Sequence, residues 1–112
     1  MAITEKALIN SKTMEAAATV QYTAPSTGIA IIDKFTATNT STSAATITVH
    51  IRVAAEATAN TNLIVDAKSI DAGESFTFPE LIGQILNAGD DILTFGTASA
   101  LTIRCSGRER TT

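Results

Sequence analysis

The clearest pattern along the chain is strict alternation. In Thr46-Ile47-Thr48-Val49-His50-Ile51-Arg52-Val53 the apolar residues Ile47, Val49, Ile51 and Val53 fall on one side, and Thr46, Thr48, His50 and Arg52 on the other. A period of two predicts a strand with one buried face. Upstream, Gly28 opens a run over 29–40 that is rich in β-branched and aromatic residues. Its register slips, because Phe35 and Ala37 share a side with Ile29 and Ile31 only if Asp33 joins them. A bulge near Asp33 removes the conflict by turning Ala30 and Ile32 toward the Phe35 face. The small polar residues of 39–43 predict a reversal, so the two runs read as a long hairpin.

Further strands are expected at 19–23, 62–68, 74–78, 91–97 and 100–106. In the last of these Leu101, Ile103 and Cys105 alternate with Thr102, Arg104 and Ser106. Seven strands separated by turn signals every 8–12 residues predict an all-β fold, an antiparallel β-sandwich or jelly-roll-like single domain. Two of the turns echo each other, Asp71-Ala72-Gly73-Glu74 and Asn87-Ala88-Gly89-Asp90. One segment breaks the pattern. In Pro79-Glu80-Leu81-Ile82-Gly83-Gln84-Ile85-Leu86 the residues Ile82, Ile85 and Leu86 have helical spacing, with Pro at a first helical position. It predicts a short helical crossover near 79–86 that plugs an open end of the core. Residues 1–17 show no firm period and are expected as an N-terminal arm, beside a sandwich over 18–107 and a tail over 108–112.

Composition narrows the class. Of 112 residues 45% are apolar and 17% charged, which excludes a disordered chain. The net charge of −3 carries no electrostatic footprint for nucleic acid. No apolar run approaches the ~18 residues that a membrane-spanning helix needs. The opening Met1-Ala2-Ile3-Thr4-Glu5-Lys6 lacks the layout of a signal peptide, so synthesis in a cytosol and a soluble product are expected. Cys105 has no second cysteine to pair with, and its place in the alternation predicts a buried, inert thiol.

Candidate chemistry is sparse. His50 is the single histidine, and its strand neighbours Thr48 and Arg52 are not metal ligands. Asp71, Glu74, Asp90 and Asp91 sit in turns and lack the oxygen spacing of a calcium loop. Asn39-Thr40-Ser41 is a glycosylation sequon without a secretory leader to bring it to the machinery. The expectation is a protein that is not an enzyme and takes no metal or cofactor. The recurring Thr36, Thr38, Thr40 and Thr42 bring an ice-binding ladder to mind, but small sandwiches twist. A carbohydrate-binding module would have Tyr22 as its one aromatic platform. The stronger signal is 19 Ala and 19 Thr in a chain so poor in charge. Free proteins use Lys and Glu to keep strand faces solvated, whereas the cores of interfaces are depleted in charge. Such faces predict a life packed against other proteins.

Tyr22-Thr23-Ala24-Pro25 followed by Ile31-Ile32-Asp33-Lys34-Phe35-Thr36-Ala37-Thr38-Asn39 resembles small virion structural proteins of tailed bacteriophages. So do the two Asx-Ala-Gly-acid turns and the segment between them. The resemblance covers 20–107 and implies a capsid cement (decoration) protein, or a tail or neck component. It implies the major capsid protein and further copies of the chain as partners, on the outside of a virion, and no catalytic residues. The contact residues expected are Ile3, Leu8, Ile9 and Met14 in the arm, Thr48, His50 and Arg52 on the polar face of the central strand, and Arg108 and Arg110 in the tail.

Overall fold

The computed structural model describes residues 2–54 and 56–111. Nine strands account for most of them: β1 (Ala2–Thr13), β2 (Thr19–Thr23), β3 (Gly28–Asn39), β4 (Ala45–Arg52), β5 (Leu63–Ile70), β6 (Ser75–Thr77), β7 (Ile85–Leu86), β8 (Asp91–Gly96) and β9 (Leu101–Thr111). One sheet, here sheet A, runs β1-β9-β3-β6 with the two-residue β7 also on β3. The other, sheet B, runs β2-β8-β4-β5. Every pairing is antiparallel. With β7 set aside, the eight strands divide four to a sheet and every connection except β4–β5 crosses between sheets, the wiring of a jelly roll. No helix among the described residues is long and apolar enough to cross a membrane.

The inner faces supply the core. Ala30, Ile32, Phe35 and Ala37 of β3 lie beside Leu101, Ile103 and Cys105 of β9 on the inner face of sheet A, and Ile47, Val49 and Ile92 come from sheet B. Phe35 meets Phe78 edge to face at 5.6 Å between ring centroids, and Phe78 meets Phe76 in the same way at 4.9 Å. The expected bulge is present: the β3–β9 register shifts between Ile32 and Lys34. That single extra residue keeps Ala30 and Ile32 on the same buried side as Phe35.

Other expectations need correction. β3 and β4 are not a hairpin, because they lie in different sheets. The intervening 40–44 segment carries the chain across the sandwich. Asn39 anchors this crossing, donating through Nδ2 to the carbonyls of Ser43 and Ile70 and accepting at Oδ1 from the Ser41 amide. Local alternation could not distinguish a hairpin from an arch. The helical turn expected near 79–86 is a chain of tight turns, with the amides of Leu81, Ile82 and Gln84 donating to Phe78, Pro79 and Leu81. Gly83, at φ +84°, stops any helix and sends its own amide 2.7 Å to the Ile32 carbonyl. Leu81 and Leu86 plug the core there, while Ile82 and Ile85 stay exposed.

Residues 2–13, expected as an arm, are strand β1 along β9, and 108–111 continue β9. The reason for the weak period is visible. Residues 2–6 are exposed on both faces, and a register shift between Ala7 and Ile9 turns both Leu8 and Ile9 inward. An edge strand with a bulge has no clean period to read.

Candidate contact surface

Directly opposed residues of antiparallel strands point to the same face of a sheet. Applied to sheet A, the registers lay out its outer face row by row. At one end Thr13, Thr102, Thr38 and Ser75 line up across four strands, and Thr38 Oγ1 lies 2.8 Å from Ser75 Oγ. Arg104, Thr36 and Thr77 follow, with Arg104 reaching Ser11 at 3.3 Å. At the other end the rows are Glu5–Arg108–Ile31–Ile85 and Ile3–Arg110–Ile29. The outer face thus changes along its length from hydroxyls to isoleucines interleaved with arginines.

The isoleucine end is open. Ile3 is 64% exposed and Ile85 55%, and Ile82 in the adjoining turn is also exposed. Arg108 forks onto Asp33 at 2.9–3.2 Å, which holds its guanidinium charged and fixes its plane along the strand. Arg110 is exposed and makes no hydrogen bond or ion pair among the described residues. On the inner side of the same end, Tyr22 hydrogen-bonds Glu109, which also pairs with Lys6 at 3.5 Å. Burial, and then the Glu109 carboxylate, push the Tyr22 hydroxyl well above its ordinary value. Its ring is therefore engaged within the fold rather than displayed as a platform for sugars.

Sheet B treats its outer face differently. Thr48 and His50 are buried there despite their outward direction in the alternation. Residues 56–62 fold back over His50. Asn62 Oδ1 accepts from His50 Nδ1 at 2.6 Å and from the Ala59 amide at 3.1 Å, while its Nδ2 donates to Glu56 and to the Ala57 carbonyl. His50 stacks on Phe95 at 5.9 Å, and Thr48 Oγ1 accepts from the Ala67 amide. Arg52 closes the edge of this cluster with a two-toothed bond to Asp91, both distances 2.9 Å.

Of the residues expected to make contacts, Ile3, Arg108 and Arg110 come together on the outer face of sheet A. Leu8, Ile9 and Met14 are core residues, and Thr48, His50 and Arg52 are committed to bonds within the chain. Ile29, Ile31 and Ile85 were not among those expected. The signal for them was present in the β3 run itself, since the bulge that buries Ala30 and Ile32 necessarily turns Ile29 and Ile31 outward. Cys105 is buried, and that burial raises its thiol to about 12.

No protein-family model and no curated protein sequence matches the chain. Among solved structures it is similar to a protein described under Bacillus endospore appendages that form disulfide-linked pili, at 19% identity and a TM-score of 0.54. That alignment covers 97% of this chain and 88% of the other. It is also similar, at 11% identity and a TM-score of 0.49, to a chain in the structure of infectious bursal disease virus, Gx strain, of which it spans 31%. Identities this low speak for shared fold alone.

Proposed function

We propose that the chain is a structural subunit of a multi-copy protein assembly, specifically a capsid cement protein that bridges neighbouring major capsid subunits on the outside of a virion. The observation that carries this reading is the uncovered isoleucine–arginine end of sheet A, where Ile3, Ile82 and Ile85 lie exposed beside Arg110. Exposed apolar surface rimmed by charge marks contact sites, and arginine among apolar side chains is the composition of interface anchors. Small β-branched side chains elsewhere on the surface lose little entropy when covered. Each subunit contact adds its own burial, and binding only to the assembled lattice stabilises that lattice by mass action.

The appendage protein of similar fold is described as belonging to disulfide-linked pili. A covalent link of that kind is closed to this chain, because Cys105 is buried. Its contacts should therefore not be disulfides, and reductant should leave the assembly intact. The test is the copy number of the chain on purified particles, together with retention of an Ile85→Lys, Arg110→Glu variant. Cement predicts on the order of hundreds of copies, and at least a tenfold loss of the variant from particles. A tail or neck ring would give roughly 3 to 12 copies, as closed cyclic symmetry requires, and would replace the cement reading. Full retention of the variant would remove the assigned surface.

A further inference from the structure

β1 leaves one side of its backbone unpaired, since it is the terminal strand of sheet A. Over Ala2–Ala7 it is regular, pairing residue for residue with 111–106 of β9. Exposed backbone edges template the addition of another strand, and proteins blunt them with bulges, short length or irregular backbone. The other edges in this fold are blunted. β5 carries two register shifts against β4 and an Ala67 at φ +48°, β2 shifts between Val20 and Tyr22, and β6 and β7 have three and two residues. Among the described residues, the start of β1 is the one regular edge left open.

We propose that two copies of the chain join edge to edge through β1, antiparallel and centred on Thr4, to make one continuous sheet. The chemistry selects both occupant and register. A two-fold axis normal to the sheet keeps each face on its own side, so a residue must oppose its own counterpart at the centre. Centring on Glu5 or Lys6 would oppose like charges, which is unfavourable. Centring on Ala2 or Ile3 would pair at most residues 2–4 of the described chain, and centring on Ala7 would run into the register shift before Ile9. Centring on Thr4 opposes two hydroxyls and sets Ala2 against Lys6 of the partner and Ile3 against Glu5. On the outer face the row then reads Arg110, Ile3, partner Glu5, partner Arg108, so the unengaged Arg110 and its symmetry mate each gain a nearby carboxylate. This contact between copies does not depend on where the assembly sits.

The register has a direct readout. Opposed Cα atoms of antiparallel strands lie about 4.5–5.5 Å apart, within the span of a disulfide. A Thr4→Cys chain should therefore cross-link to a covalent dimer under mild oxidant, with the buried native Cys105 silent. In a Lys6→Cys chain the two thiols would lie four residues apart along the strand, about 14 Å, and cross-linking should fall at least tenfold. Thr4→Lys, which opposes two cations at the axis, should shift the native dimer to monomer in light scattering, with the melting temperature of the wild-type chain diluted to monomer. Equal cross-linking of both cysteine variants overturns the register. A monomeric Thr4→Cys chain that never links overturns the proposal, including the case where β1 is protected in particles by a strand of a different protein.

Discussion

The two sheets dispose of their outer faces in opposite ways. Sheet B brings a loop back over His50 and pins it through Asn62, whose two side-chain atoms make four hydrogen bonds. Sheet A has no such cover, and its isoleucines and Arg110 stand free at one end. The lesson is that an outward polar residue and a contact residue are different things. His50 points away from the main core and is only 6% exposed, whereas Ile85 is apolar and more than half exposed. The face that finishes its own bonding is spent on stability. The face that leaves apolar surface open is available to another chain.

Three variants sharpen that contrast, in order of falling effect on stability. Leu8→Ala removes a core side chain from β1 and should cost about 2–5 kcal/mol in denaturant unfolding. A loss below about 1 kcal/mol would mean that β1 is a detachable arm after all. The same argument implies that deleting residues 1–14 unfolds the domain, since Leu8, Ile9 and Met14 go with it. Asn62→Ala should cost about 1–3 kcal/mol, because it strips partners from His50 and from the loop backbone. Self-association should be untouched, as sheet B takes no part in it. Ile85→Lys with Arg110→Glu should change stability by no more than about 0.5 kcal/mol each, the usual range for surface sites, while abolishing retention on particles. If the order of the last two were reversed, the division of labour between the sheets would be wrong.

A smaller effect concerns the β5–β6 turn. Asp71 beside Glu74 raises the Glu74 carboxyl above its ordinary value. A raised acid in the folded state is stabilising while protonated, and that contribution is lost as pH rises through its folded value. Asp71→Asn should flatten this slope in a pH series of melting temperatures, leaving both outer faces unaffected.

Much of this architecture was legible in the residues. Alternation at 46–53 and at 101–106 located β4 and β9, and the conflict at Asp33 located the β3 bulge. Partner choice was not legible. The period of β3 and β4 says that each has a buried side, but not that they belong to different sheets. β1 escaped because an edge strand exposed on both faces has no alternation, and its bulge places Leu8 and Ile9 side by side in the core. The burial of His50 escaped for a different reason. It depends on Asn62 returning across twelve residues, a contact with no local signature. The proposed contact surface was half legible: Ile3, Arg108 and Arg110 were among the expected contacts, but the row that joins them to Ile29, Ile31 and Ile85 exists only through the pairing of β1, β9, β3 and β7.

Amide hydrogen exchange, compared between the free chain and the same chain on its assembled particle, tests the central claim most directly. Slowed exchange confined to 28–32, 82–86 and 106–111, with the 53–62 loop unchanged, is the predicted footprint. Protection over the 53–62 loop with the isoleucine end exchanging as freely as before would contradict it.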